Sequence, residues 1–159
     1  MVILGLDPGT ARIGYGLVAR GVPPRLIACG ILKVHTQERD GRVFEAVQHL
    51  KKLIQKHHPT LIALEKIFFV KNQKTGLQVS EMRGALLYAI RENNLRVVEY
   101  GPKEIKKNIT GDGNADNRAV AKMVKATLQK KEILGPDDVT DAIAVALTAL
   151  YDIRNRPLA

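Results

Sequence analysis

Four carboxylates stand at positions where metal-assisted chemistry could take place. Asp7 follows the first apolar run of the chain, and Glu65 ends a second one. Asp138 and Asp141 are three residues apart, so they share one face of a helix. Carboxylates gathered in one place repel each other, and a bound divalent cation removes that cost. All-oxygen ligation suits Mg²⁺ or Mn²⁺ rather than zinc, which predicts a metal-dependent site.

Each carboxylate also has an ordinary structural interpretation. Asp7 precedes Pro-Gly, where an Asp often closes an Asx turn. Asp137 fits the N-cap of the last helix, and the positive end of that helix would stabilise Asp141. We assign the cap to Asp137, although spacing alone does not separate it from Asp138 as a ligand. Glu65 is the hardest to explain structurally, because it directly follows Leu-Ile-Ala-Leu.

The charge balance of the chain points to a polyanionic partner. Among 159 residues there are 25 Lys and Arg against 16 Asp and Glu, a net charge of +9. A basic balance in a small domain is typical of proteins that bind nucleic acid. Carboxylate-bound metal within a basic chain suggests phosphodiester hydrolysis. One ion would generate the attacking hydroxide, and the other would neutralise the leaving oxygen.

Length and composition exclude several other classes. The length favours a single domain over residues 1–159. No apolar run approaches the ~18 residues of a membrane span, and the N-terminus lacks the pattern of a signal peptide. The single cysteine, Cys29, excludes a disulfide framework and a Cys-rich zinc site. We therefore expect a cytoplasmic protein.

Hydrophobic periodicity predicts elements that bring the four carboxylates together. Three strands joined by short turns would form an antiparallel meander, and two helix–strand units would follow. The predicted strands cover 2–6, 13–19, 25–34, 60–64 and 96–100. The predicted helices cover 43–54, 76–93, 115–130 and 135–154, with a further helix beginning at Pro102. The expected fold is a mixed five-stranded α/β sheet flanked by helices, in which strands 1, 4 and 5 are parallel.

In that sheet the carboxyl ends of strands 1 and 4 meet at one edge, where open α/β sheets form their sites. Asp7 and Glu65 would lie there together. The last helix is apolar nearly all round after Asp141, so we expect it to be buried against the sheet. Its first turn would then present Asp138 and Asp141 to the same edge.

These residues together resemble the RuvC-type Holliday-junction resolvases of the ribonuclease H-like superfamily. The resemblance runs from Val2 to about Leu150 and rests on an ordered set of motifs. These are GLDPGT at 5–10, GYG at 14–16, Glu65 with Phe68 and Lys71-Asn72, SEMRG at 80–84, and Asp138-x-x-Asp141-Ala142.

The resemblance implies a ribonuclease H-like fold and a homodimer that resolves four-way (Holliday) DNA junctions by paired symmetric nicks. This is a structure-specific endonuclease activity of DNA recombination and repair. It also implies that Asp7, Glu65, Asp138 and Asp141 hold two Mg²⁺ ions, for which we expect Mn²⁺ to substitute. Cooperation with the RuvA–RuvB branch-migration complex is a further implication.

The resemblance assigns roles to three further segments, two of which would contact the DNA. Phe68 matches the family aromatic that stacks on bases at the opened junction centre, and we expect Phe68 to point outward and Phe69 inward or to the dimer interface. Lys106 matches a family lysine near the site, although Lys107 could be the one that contacts phosphate. The resemblance also places the helix over 76–93 at the dimer interface. Within it, Gly84 predicts close packing, since glycine otherwise weakens a helix.

One position departs from the family pattern. Such resolvases commonly carry a lysine two residues after Gly111-x-Gly113-x-Ala115, where this chain has Asn117 followed by Arg118. Either Arg118 supplies the phosphate contact from a shifted position or that contact is weaker. Arg118, Lys122 and Lys125 share one helical face and could form a stripe along the DNA backbone.

Three other functions fit parts of the sequence. A resolvase-like RNA-processing nuclease of the YqgF type shares the GLDPGT opening and Arg12-Ile13-Gly14. An ATP-binding domain of the actin and sugar-kinase kind also opens with Gly-x-Asp-x-Gly-Thr, but such proteins grip the nucleotide between two domains. A non-catalytic junction-binding module would need a damaged acidic set, and all four carboxylates are present here.

Overall fold

The structure, a computed structural model, describes residues 1–9, 12–66 and 73–155. Strands and helices follow each other much as the periodicity predicts. The strands are β1 (Val2–Pro8), β2 (Ile13–Ala19), β3 (Arg25–Ile31), β4 (Leu61–Glu65) and β5 (Val97–Tyr100). The helices are α1 (Arg39–His57), α2 (Gln73–Glu92), α3 (Pro102–Thr110), α4 (Asn117–Thr127) and α5 (Asp137–Asn155). None of the helices within the described ranges is long and apolar enough to span a bilayer.

The strands form one five-stranded sheet in the order β3-β2-β1-β4-β5. β1 pairs with β2 and β2 with β3 in antiparallel register, whereas β4 is parallel to both β1 and β5. The predicted mixed sheet, with an antiparallel meander and a parallel half, is therefore confirmed. Because β4 lies beside β1, their carboxyl ends share one edge, called the catalytic edge below.

Several boundaries differ from those predicted, for local reasons. β3 ends at Ile31 rather than at residue 34, because the chain turns away so that the Lys33 N–H donates to Nδ1 of His49. α4 begins at Asn117, since the Asp116 carboxylate caps it by accepting from the Ala119 N–H at 2.7 Å. The prediction that Asp137 caps α5 is wrong, because Asp137 is the first residue of that helix.

Helices cover both faces of the sheet and give two hydrophobic cores. α1 and α2 pack on one face, and α5, backed by α3 and α4, packs on the other. Residues 142–150 of α5 are all at most 1 % exposed, as expected for a helix that is apolar all round. This central helix is the element that carries Asp138 and Asp141 to the sheet.

Glycines on β1 and β2 let α5 lie directly on the strands. Gly5 pairs with Gly16, and Asp7 pairs with Gly14, so all four face α5. A Cβ on Gly5 would overlap the carbonyl oxygen of Ala142, and one on Gly14 would overlap that of Asp138. The strip formed by Gly5, Gly14 and Gly16 thus sets the depth at which the first turns of α5 meet Asp7.

The prediction that Gly84 is closely packed is wrong within this chain. Gly84 is exposed on α2, and a Cβ there would meet nothing within 4 Å. Leu77, another apolar residue of α2, is 62 % exposed and lies on the opposite side of the helix from the buried Leu86. One side of α2 therefore faces away from the rest of the described chain.

Candidate active site

Two strands bring the first pair of carboxylates to the catalytic edge. Asp7 is the sixth residue of β1, and Glu65 is the last residue of β4. The parallel register pairs Leu6 with Leu64, so Asp7 and Glu65 follow side by side. Both are partly buried, and burial of a charged carboxylate is unfavourable unless a partner compensates for the lost hydration.

α5 adds the second pair from above the sheet. Its first turns hold Asp138 and Asp141, both partly buried, over the Asp7 end of β1. A Cβ on Gly9 would lie 3.2 Å from Oδ1 of Asp138, which places that carboxylate against the turn after β1. The structure therefore gathers all four predicted carboxylates at one edge.

The charges of these carboxylates influence one another's ionisation. Burial, followed by the charges of Glu65, Asp141 and Asp138, raises the pKa of Asp7 to about 7. Burial, followed by the charges of Asp137 and Asp138, raises the pKa of Asp141 to about 6. Burial and the charge of Asp141 also raise the pKa of Glu65. Ionisation of these carboxylates in the folded protein is therefore unfavourable. Such clusters of shifted pKa values are typical of functional sites.

One lysine offsets part of this cost. Lys106 on α3 lines a cleft of about 230 Å³ together with Glu65, Asn117 and Asp141. Its charge acts to lower the pKa of both Glu65 and Asp141, against the larger effect of burial. Lys107 is exposed and does not line this cleft. Of the two candidate lysines, the structure brings Lys106 to the carboxylates.

The segment that departs from the family pattern lies beside the same cleft. Asn117 occupies its wall, where a lysine would add a second cation. Arg118 lines a neighbouring cleft of about 110 Å³ with Asp137, Thr140 and Asp141. Arg118 therefore reaches the acidic cluster from the outer side of Asp141.

The remaining predicted DNA contacts fall in two groups. Lys122 is exposed, and Lys125 is partly buried, one and two turns after Arg118 on α4. They continue a basic stripe that leads away from the cluster. Phe68 and Phe69 lie outside the described residues, so the prediction of a stacking aromatic stays a prediction.

The cluster suits a divalent cation in donor chemistry and in charge. Within the described ranges, no three His, Cys, Asp or Glu side chains are already arranged as a ligand set. The cluster therefore suits a cation by its charge and its oxygen donors, and not by a preformed coordination geometry. Neighbouring negative charges contribute to the raised pKa of Asp7, Glu65 and Asp141, and a hard cation with oxygen ligands would relieve that repulsion.

The raised pKa values predict how the stability of the metal-free protein depends on pH. In the unfolded chain these carboxyls ionise near pH 4, whereas in the folded protein Asp141 ionises at about pH 6. Below pH 4 both states hold the proton and no penalty applies. As the pH rises to 7, folding must increasingly force the charge into the cluster, so stability falls.

We therefore expect Asp141→Asn to gain stability over the wild-type protein by roughly 1–2 kcal/mol at pH 7.5 and by almost nothing at pH 4. Urea unfolding in chelator at the two pH values measures this difference. A stability difference that is the same at pH 4 and at pH 7.5 would contradict a raised pKa of Asp141 in the folded protein.

Three features of the site were not predicted from the sequence. The glycine strip, and the place of Asn117 in the wall of the cleft, become evident only when the strand register and the packing of α4 are known. Asp137, assigned to a cap, instead raises the pKa of Asp141. The Gly14-x-Gly16 spacing was a usable signal, because alternate glycines on one strand face allow close approach of another backbone.

Comparison with known proteins assigns the family. The family model described as "Crossover junction endodeoxyribonuclease RuvC" matches residues 3–149. The chain belongs to the RuvC family. This agrees with the resemblance carried by the motifs, and it does not favour the RNA-processing alternative.

Individual RuvC proteins match over nearly the whole chain. Crossover junction endodeoxyribonuclease RuvC of Natranaerobius thermophilus is 39% identical over 160 residues, covering 98% of this chain and 99% of the relative. The Thermus thermophilus RuvC structure superposes with a TM-score of 0.87 at 33% identity, covering 98% of this chain and 97% of that one.

The T. thermophilus RuvC structure in complex with Holliday junction substrate gives a TM-score of 0.88 at 30% identity, with the same coverage. The expected ribonuclease H-like fold is therefore confirmed.

Proposed function

We propose that this chain, acting as one nuclease domain over residues 1–159, resolves four-way DNA junctions by paired nicks. The observation that carries the proposal is the gathering of Asp7, Glu65, Asp138 and Asp141 at the catalytic edge of a RuvC-family fold. The junction is proposed because a T. thermophilus relative was solved in complex with Holliday junction substrate.

Each side chain then has a defined task. The four carboxylates would hold the divalent ions, for which we propose two Mg²⁺ per subunit with Mn²⁺ as a substitute. When bound, such ions would supply an activated water and would neutralise charge on the leaving oxygen. Lys106 would face the phosphate that approaches Glu65 and Asp141. Arg118 and Lys122 would hold the backbone further along the strand.

A substrate panel tests this function. End-labelled four-way junction, linear duplex and structured RNA are incubated with the protein and Mg²⁺ under single-turnover conditions. We expect symmetric nicks in two opposed strands of the junction and little cutting of the other two substrates. Cutting of RNA with the junction left intact would overturn the proposal in favour of RNA processing. Tight junction binding without nicks would favour the binding module.

The two neighbouring lysines give a matched pair of variants. Lys106→Gln should lower the single-turnover nicking rate roughly 100-fold, because it removes the cation beside the reacting phosphate. Lys107→Gln should change the rate by less than about threefold, since a single exposed phosphate contact contributes mainly to binding. Equal effects of the two substitutions would contradict the placement of Lys106.

We further propose that the outward side of α2 forms the homodimer interface. Leu77, Gly84 and Tyr88 lie on one face of this helix, and Tyr88 is 71 % exposed. The open space over Gly84 would let a second helix approach closely. A dimer in this form would present two catalytic edges, one for each of the opposed strands.

Substitution on that face tests the dimer. Tyr88→Glu should shift the protein toward monomer, raising the dimer dissociation constant at least tenfold by analytical ultracentrifugation, because it buries a charge in an apolar contact. Phe44→Glu is the control, since Phe44 is a 64 % exposed aromatic on α1. An unchanged dimer in Tyr88→Glu would place the interface elsewhere.

Two further proposals rest on the family resemblance. One is cooperation with the RuvA–RuvB branch-migration complex, and the other is a cytoplasmic location. Co-purification of the three proteins on a four-way junction tests the first of them.

A further inference from the structure

A second polar cleft opens beside the carboxylate cluster, on the face of the sheet covered by α1 and α2. Its volume is about 120 Å³. Three segments line it: the turn after β1, the loop that leads into the first turn of α1, and the first half of α2. The residues that matter below are Gly9, Gln37, Arg39, Gln78 and Glu81.

Gly9 joins this cleft to the site. It lies two residues after Asp7, and the carboxylate of Asp138 lies against it. The cleft that holds Lys106 lies on the other face of the sheet, under α3. A DNA strand whose phosphate sits at the carboxylates would therefore have Lys106 on one side and this cleft on the other.

The polar groups in the cleft differ from those of a phosphate track. The Nε of Arg39 donates to Oε2 of Glu81 at 2.6 Å, so part of the positive charge is already neutralised. Arg42 also lines the cleft and already has an interaction partner. Gln37 and Gln78 are exposed, and neither has a hydrogen-bond partner among residues 1–9, 12–66 and 73–155. Beside the charged groups, the cleft therefore presents two amides that make no hydrogen bond within the described part of the chain, and each can both donate and accept.

We propose that Gln37 and Gln78 contact the base edges of nucleotides that adjoin the scissile phosphate, and so set a base preference for the nick. The proposal rests on the proposed junction-nicking function. Phosphate contacts position the DNA, whereas sequence is read by hydrogen bonds to the base edges. An amide does this in its pairing with the N6 and N7 edge of adenine.

The test uses four-way junctions in which each nucleotide beside the nick is varied through all four bases. Single-turnover nicking rates are measured for the wild-type protein, Gln37→Ala, Gln78→Ala and the control Gln55→Ala. Gln55 is an exposed glutamine near the far end of α1, away from the cleft. We expect a spread of roughly 5- to 100-fold between bases at one or more positions for the wild-type protein. That spread should flatten in the Gln37 or Gln78 variant and persist in Gln55→Ala.

The outcomes separate this inference from the function on which it rests. Junction nicking by the wild-type protein with the same base spread in all variants overturns base contact by these glutamines. A uniform loss of rate at every base, with the spread intact, also overturns it, since the glutamines would then hold only the backbone. Failure of the wild-type protein to nick any junction overturns the proposed function itself.

Discussion

Asp7→Asn should abolish nicking while making the metal-free protein more stable. The substitution keeps the shape of the side chain and removes the charge whose pKa burial and three neighbouring carboxylates raise to about 7. Without that charge the cluster loses a cation ligand, and we expect the nicking rate to fall by roughly 1000-fold or more. Junction binding should be retained or strengthened, because a negative charge that faces phosphate is gone.

The gain in stability is what distinguishes a functional carboxylate from a structural one. At pH 8 in chelator we expect Asp7→Asn to raise the free energy of unfolding by roughly 1–3 kcal/mol, or several degrees in Tm. Urea unfolding and gel-shift binding measure the two halves of this prediction. Glu132→Gln, an exposed carboxylate outside the cluster, should leave nicking and stability unchanged. A less stable Asp7→Asn protein would mean that Asp7 stabilises the turn at Pro8-Gly9.

Gly14→Ala should be among the most damaging single substitutions in the chain. The added Cβ would overlap the carbonyl oxygen of Asp138, a backbone atom that cannot rotate away. Relief of this overlap requires α5 to move away from β2. That movement is unfavourable because residues 142–150 of α5 are buried and the helix packs against both β1 and β2. We expect a loss of roughly 3 kcal/mol or more, at the upper end of overpacking costs.

The same substitution should also disable the site, because a lifted α5 carries Asp138 and Asp141 away from Asp7. Chemical denaturation gives the stability, and nicking at a temperature where the variant stays folded gives the activity. Gly84→Ala is the matched control for the stability of the single chain, and it is compared at a concentration where the protein is monomeric, because Gly84 lies on the proposed dimer face. The added Cβ meets nothing within 4 Å in the single chain, and alanine should stabilise α2 by roughly 0.5–1 kcal/mol. A Gly14→Ala protein as stable as the wild type would contradict the close packing of α5 on β2.

Most of the sheet could be predicted because its signals are local. The short turns between β1, β2 and β3 impose an antiparallel meander, and the helix between β3 and β4 imposes a parallel crossover. Once β4 lies beside β1, Asp7 and Glu65 must meet. Asp138 and Asp141 follow because the apolar run after them buries α5.

Features that depend on tertiary register could not be predicted in this way. Gly5 and Gly16 have no evident relation in the sequence until pairing sets them opposite each other. The choice between Lys106 and Lys107 depends on the rotation of α3, which burial of Ile105 and Ile109 fixes.

We propose that the four carboxylates form one metal-dependent nicking site. The most direct test is single-turnover nicking of an end-labelled four-way junction by the wild-type protein in Mg²⁺, the wild-type protein in chelator, and Asp7→Asn in Mg²⁺. We predict paired nicks in the first reaction and none in the other two, with junction binding present in all three. Nicking that persists in chelator, or in Asp7→Asn at the wild-type rate, would contradict a metal-dependent site that includes Asp7.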